Sequence, residues 1–280
     1  MTILNKADTF LFSLDAAVLL ALIVSVMAVI AIVAYKRKNL SASGAIAAHI
    51  LGTVVLYALR LEGFFLLLFF FVTCNIVGKI CRKKAGPDSY EKKGSCRDVL
   101  QVLANGLMAV LSALIYQISG GTTALIMFGA ALAEATSDTL AGEIGRLSPT
   151  DPVSIRTFRR MEKGMSGAVT PLGIFGGFLG SFAISLIWLA FFPVANGVLY
   201  ALVICISGLA GCLEDSFLGA TAQALYLDKE KGKYTERERG ENGEPLELVR
   251  GVKWLDNDMV NLSSNVFSCV LAAGLSKIIG

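Results

Sequence analysis

Histidine is nearly missing from this chain: among 280 residues only His49 occurs, and it stands in an apolar stretch. Ser–His–Asp catalysis and histidine-bound metals need imidazoles beside other reactive groups, so neither class is supported. A hydrogen-bonded interior position is the expectation for His49. Six cysteines occur (Cys74, Cys81, Cys96, Cys205, Cys212, Cys269), but none are in CxxC spacing and most lie in or near apolar segments. They read as reduced packing residues. Charge is scarce, with Asp, Glu, Lys and Arg at 17%, and no Walker A sequence is present. The N-terminus lacks the basic start and small-residue cleavage site of a removable signal, so the first apolar segment is expected to stay.

Hydrophobic residues make up 55% of the chain and the mean hydropathy is +0.66, far from a soluble domain. The reading is an all-α polytopic membrane protein. Apolar runs cover 14–35, 43–59, 64–80, 99–117, 122–137, 172–192, 196–217 and 260–279, each near the ~20 residues a bilayer core requires. About eight transmembrane helices follow, in a single transmembrane domain over 1–280 with a loop insertion at 227–255. The second and third runs are parted only by the short turn at 60–63, so another division of that pair stays open.

Nearly all of the 25 Lys and Arg residues fall in alternate loops, around 36–38, 79–97, 146–163 and 229–253. The positive-inside rule then places these loops in the cytosol and both termini outside, in the plasma membrane if the source is prokaryotic. The opposite loops are short and nearly uncharged, so polar chemistry belongs to the cytosolic face. A surface this basic attracts anionic lipid headgroups, phosphates or nucleotides; no nucleic-acid partner is expected.

Carboxylates at the end of a membrane helix are expensive and usually functional. Glu134 and Asp138 stand four apart and share one helical face, whereas Glu143 lies nearly opposite unless the helix breaks at Gly142. Close carboxylates without a salt-bridge partner suggest a divalent cation. Three further helices carry polar stripes at the same depth: Asp98, Gln101 and Asn105; Asp215, in register with Gly208, Gly211 and Gly219; and Asp258, Asn261 and Asn265 beside Asn257. Glu214 points about 100° away from Asp215 and is the weaker candidate. One such stripe would mean interhelical hydrogen bonding; four converging stripes favour a site.

A basic segment, Arg156, Arg159 and Lys163, precedes Gly164, Ser166 and Gly167 where a loop becomes the sixth helix. Backbone amides bared by glycines at a helix N-terminus can hold phosphate oxygens. The following Gly173, Gly176, Gly177 and Gly180 read as small-residue packing positions. In the loop at 227–255, the segments 233–236 and 246–250 flank a turn-rich 240–243, which fits a small β-hairpin or a flexible solvated loop.

The blocks at 94–106, 135–145, 164–170, 215–223 and 254–261 resemble, in order, the successive blocks of one integral-membrane family. That family contains the plant phytyl-phosphate kinase of tocopherol synthesis and mammalian transmembrane protein nineteen. The resemblance runs from about Ser41 onward. It implies an isoprenyl-monophosphate kinase that uses a nucleoside triphosphate, CTP foremost, to make the diphosphate. Two departures are visible. Many relatives carry Cys and His in the last cytosolic loop, whereas 229–243 has neither, so a metal-stabilised loop is not expected; and Met165 and Ala168 stand where relatives often have Gly or Thr.

Phosphoryl transfer between anionic reactants requires charge neutralisation and in-line positioning above all. Under this reading Glu134, Asp138, Asp215 and Asp258 are the candidate Mg²⁺ ligands. Lys83, Lys84, Arg97, Arg156, Arg159 and Lys163 are the candidate phosphate contacts, and Gly164, Ser166 and Gly167 the cradle. Asn105 and Asn261 would orient phosphate or metal-bound water, joining Asp138 and Asp215 as catalytic candidates. The expected partners are an isoprenyl monophosphate, a nucleoside triphosphate and membrane lipids. A CTP-dependent polyprenol kinase, a lipid-phosphate cytidylyltransferase and an anionic-lipid transporter are the alternatives.

Overall fold

Backbone polar groups cannot be left unpaired in lipid, so apolar runs of this length have to become helices. A computed structural model describes residues 3–85 and 96–279. Lys92, Lys93, and Gly94 and Ser95 of the first family block lie outside the described residues. In chain order the helices are α1 (Ile3–Leu11), α2 (Ala16–Lys36), α3 (Ala42–Ala85), α4 (Val99–Ser119), α5 (Thr122–Gly145), α6 (Pro171–Phe191), α7 (Gly197–Thr221) and α8 (Asn257–Ile279). Among the described residues, α2 to α8 are long and apolar enough to cross a membrane.

The expected eight passes are reached because α3 supplies two. Its 44 residues contain one non-helical backbone position, Arg60, at φ 58° and ψ −154°. Ala48 and Phe71 nonetheless pack in one cluster with Ala45, although a straight helix would hold them roughly 35 Å apart. α3 is therefore a helical hairpin turned at Arg60. The short α1, absent from the expected runs, covers this turn: Asp8 pairs with Arg60 at 3.3 Å, and the guanidinium lies 4.2 Å from the Phe12 ring centre.

Local chemistry fixes the helix ends. Asp98 and Gln101 form a reciprocal capping box at the start of α4, Gly120 closes α4 in the left-handed region at φ 64°, and Thr170 caps α6 ahead of Pro171. Five other long helices, α3, α4, α6, α7 and α8, pack around α5, which is the most buried of the set. The glycines of α6 make that approach possible, as expected from their spacing. A Cβ at Gly173 would stand 2.9 Å from the Ala141 carbonyl, and one at Gly180 would stand 3.1 Å from that of Thr136. Trp188 Nε1 reaches across to donate to the Leu125 carbonyl at 2.9 Å.

Among the described residues, five short strands complete the fold. β1 (Val153–Ser154) and β2 (Ala168–Val169) pair antiparallel within the loop before α6. After α7, β3 (Leu225–Asp228), β4 (Lys233–Thr235) and β5 (Glu247–Arg250) form an antiparallel sheet in the order β4-β3-β5. The expected hairpin is thus corrected. Both of its segments are strands, but β3 stands between them and pairs with each, a partner that the turn signal at 240–243 does not reveal. His49 also departs from expectation, since its buried Nδ1 has no hydrogen-bond partner among the described residues. All six cysteines are free, and only Cys96 is exposed.

Candidate functional site

A polar cavity opens at the face that carries the charged loops, about 1150 Å³ with the open space at its mouth included. Asp138 from α5 and Asp215 from α7 both line it, together with Arg146, Lys163, the segment 164–167 and Asn257. The loop before α6 is brought there by the β1–β2 ladder and by tight packing on α7. Gly164 and Gly167 take φ of 88° and 84°, where a side chain is strained. A Cβ at Gly167 would also lie 2.5 Å from the Ala220 backbone nitrogen.

This loop differs in one respect from the sequence expectation. It is separated from the helix terminus by β2 and by Thr170, whose side chain accepts the first-turn amide of Gly173 at 3.0 Å. Within the loop, Met165 donates to the Glu162 carbonyl and Ala168 to that of Met165. The amides of Gly164, Ser166 and Gly167 donate no hydrogen bond among the described residues. The candidate anion cradle is thus formed by a turn and not by the helix end. Ser166 Oγ donates to Glu236, just beyond β4, which ties the cradle to the three-stranded sheet.

Behind the cavity lies a hydrogen-bond network joining α5, α7 and α8. Asn265 Nδ2 donates to Glu134 Oε2 at 2.5 Å and to the Ala131 carbonyl at 2.8 Å. Ser264 Oγ lies 3.0 Å from Glu134 Oε1, 3.3 Å from Asp215 Oδ2 and 3.0 Å from the Asn261 carbonyl. One hydroxyl has one proton and can serve only one of these acceptors at a time. With its amide nitrogen turned toward α7, Asn261 donates to Asp215 Oδ2 at 3.0 Å and to the Asn257 carbonyl at 3.0 Å. Asp215 is thereby aimed by α8 while it still borders the cavity. α7 approaches so closely because Gly211 faces Glu134, where a Cβ would stand 2.6 Å from the Glu134 Cγ. The glycine stripe expected to turn Asp215 toward its neighbours does so.

The remaining candidates separate. Glu134 is 1% exposed, does not border the cavity, and has both oxygens engaged by α8. Asp258 is buried in the first turn of α8 and does not border the cavity either. Among the described residues no three His, Cys, Asp or Glu side chains are gathered closely enough to hold a metal by themselves. Asn105 sits on α4 and lines a different, apolar cleft with Arg97, its Nδ2 bonded to the Gln101 carbonyl at 3.0 Å. Arg97 nevertheless lies within electrostatic reach of Asp138. Lys83 and Lys84 are exposed at the end of α3, and Arg156 and Arg159 are exposed outside the cavity wall.

Glu143 has a resolved role. α5 runs unbroken through Gly142 to Gly145, so Glu143 turns away from Asp138 and accepts from Arg82 Nε at 2.7 Å across the α3–α5 contact. Sequence reasoning missed Arg82, Arg146, Ser264 and Glu236. Outside the membrane spans, burial holds the Arg250 pKa below its usual value, opposed by Glu236. Arg250 also donates to the Gly219 carbonyl at 2.7 Å, fastening β5 under the end of α7.

A family model described as integral membrane protein DUF92 matches residues 25–269. An uncharacterized membrane protein of Methanocaldococcus jannaschii is 36% identical over 204 residues, covering 72% of this chain and 83% of its own. Protein PGR of Arabidopsis thaliana is 30% identical over 275 residues, covering 89% and 93% respectively. The chloroplastic protein VTE6 of the same plant is 28% identical over 248 residues, covering 86% of this chain and 66% of its own. No solved structure matches.

Proposed function

The chain belongs to the DUF92 family of integral membrane proteins, and from that membership and the cavity we propose that it is an isoprenyl-monophosphate kinase with CTP as its favoured donor. The observation that carries this reading is the meeting of three unbonded amides, Gly164, Ser166 and Gly167, with Lys163, Asp138 and Asp215 around one polar cavity. Amides and a lysine suit phosphate oxygens. Mg²⁺ binds through one or two carboxylates and completes its shell with substrate phosphates and water, so the two aspartates fit it without a third carboxylate.

In this scheme Asp138 and Asp215 would hold Mg²⁺, which when bound would supply positive charge to offset that of the transferring phosphoryl group. Gly164, Ser166, Gly167 and Lys163 grip the donor phosphates, and Arg146 adds positive charge at the cavity wall. Asn261 fixes the rotamer of Asp215. An oxygen of the acceptor monophosphate forms a bond to the terminal phosphorus as its bond to the bridging oxygen breaks, releasing the nucleoside diphosphate. The acceptor is already ionised near neutral pH, so no general base is required. Glu134 and Asp258 act in helix packing, and neither is a ligand. By the distribution of Lys and Arg, the cavity faces the cytosol and both termini lie outside.

The test is incubation of the purified protein with Mg²⁺, each of CTP, ATP, GTP and UTP, and phytyl, geranylgeranyl or farnesyl monophosphate. Isoprenyl diphosphate with a nucleoside diphosphate is the expected product pair. A CDP-lipid with pyrophosphate would mark a cytidylyltransferase instead, and absence of product from every pair would reject the kinase.

A further inference from the structure

Beside the polar cavity, α2, α3 and α4 do not close fully on one another. Small residues, Ala31, Ala34, Ala48, Gly52 and Gly106, leave an apolar cleft of about 740 Å³ with the open space at its side included. Among the described residues, the polar side chains bordering it are Arg97, Gln101 and Asn105. Arg97 stands just ahead of α4 and the other two lie in its first two turns, so the cleft has a polar end and a hydrocarbon body. Its apolar body runs past Leu51 and Phe71 to Phe64, near the turn of α3.

Arg97 is held in place by its own backbone. Its amide donates to the Asn39 carbonyl at 3.1 Å, and its carbonyl accepts from Ser41 at 2.9 Å. The guanidinium makes no ion pair within 4 Å among the described residues. It lies within electrostatic reach of Cys74 on α3 and of Asp138 on α5. A cation at the end of an apolar cleft, with Asp138 of α5 within electrostatic reach, is a place where an anionic headgroup is favourable.

We infer that this cleft binds the hydrocarbon chain of a single-chain lipid monophosphate, with the phosphate at Arg97 and the chain laid between α2, α3 and α4. The assignment deepens the kinase reading and rests on it for the identity of the headgroup. The phosphate at Arg97 is presented toward Asp138 and hence toward the donor cavity, while the chain leaves in the opposite direction. Apolar lining gives affinity in proportion to the area buried and little discrimination along the chain. Arg97 supplies the requirement for phosphate.

The experiment uses the full chain in nanodiscs with a phytyl-length alkyl phosphate that carries a mid-chain diazirine, without nucleotide. After illumination, adducts are mapped by mass spectrometry. The expected result is labelling at cleft residues such as Met27, Leu51 and Val102, ~10-fold above that from the matching alcohol, a preference of about 1.4 kcal/mol. Phytyl phosphate should compete and phosphatidic acid should not. Ala48→Phe or Ala31→Phe, placed on different helices and each checked for an unchanged melting temperature, should remove the label, and Arg97→Gln should erase the preference over the alcohol. Labelling spread over lipid-facing residues such as Ile46 and Val198, or equal competition by phosphatidic acid, would overturn the inference. Cleft labelling in a protein that forms no diphosphate would uphold this site and reject the kinase; turnover with adducts elsewhere would do the reverse.

Discussion

Glu134 on α5 and Asn265 on α8 meet in the centre of the helix bundle, with Asn265 Nδ2 2.5 Å from Glu134 Oε2 and exposures of 1% and 0%. A carboxylate this deep is tolerated because amide and hydroxyl donors face it. The pair joins the central helix to the last one, directly behind the cavity wall that carries Asp215.

Asn265→Leu should therefore weaken the fold. A buried acceptor left without its donor costs ~1–3 kcal/mol, although hydrogen bonds in membranes often fall near the lower end. A lowered melting temperature in detergent is the expected readout. An unchanged melting temperature would show that Glu134 finds another donor.

Asp138→Asn and Asp215→Asn address the cavity itself. Each should reduce turnover at least ~100-fold, the scale on which a positioned electrostatic group acts, with helical content preserved. The Mg²⁺ concentration for half-maximal activity should rise in whatever residual activity remains. Glu134→Gln should leave that Mg²⁺ dependence unmoved, because both oxygens of Glu134 face α8. Retained turnover in the two aspartate variants would remove the metal assignment.

Gly167→Ala should impair nucleotide use more than stability of the bundle. Its φ of 84° and the approach of Ala220 leave no room for a methyl group, so the cradle must shift. The expected effect is a raised KM for nucleotide and a cost of about 1 kcal/mol or more. Gly274→Ala is the control: it is helical, nothing lies within 4 Å of an added Cβ, and its stability should rise by up to ~1 kcal/mol.

Glu143→Gln should lower stability by ~1–3 kcal/mol, since the Arg82 guanidinium loses a charged acceptor. Combining it with Arg82→Gln should cost less than the sum of the single changes, the mark of two residues in direct contact. Strict additivity in a double-mutant cycle would disprove the coupling.

Much of this architecture was legible in the sequence. Apolar runs gave eight passes, the family blocks gave the family, and helical periodicity put Glu134 with Asp138 and turned the glycines of α6 onto α5. Periodicity assigns a face to a residue but not the neighbour that face meets. Periodicity thus groups Asn105 with the carboxylates, whereas α4 directs it into the apolar cleft. For the same reason periodicity does not separate Arg82 from Lys83 and Lys84: the phase of α3 against α5 selects which cation turns inward. Ser264 escaped because serine is unremarkable in a membrane helix, and Glu236 because 70 residues separate it from Ser166.

The two backbone bonds that clasp Arg97 between Asn39 and Ser41 bear on how this chain can change through descent. The linker entering α4 is fastened at the arginine itself to the segment between α2 and α3, so a change of length before that clasp need not displace the guanidinium. Relatives can accordingly differ in the length of that linker and still keep the same cation at the same place.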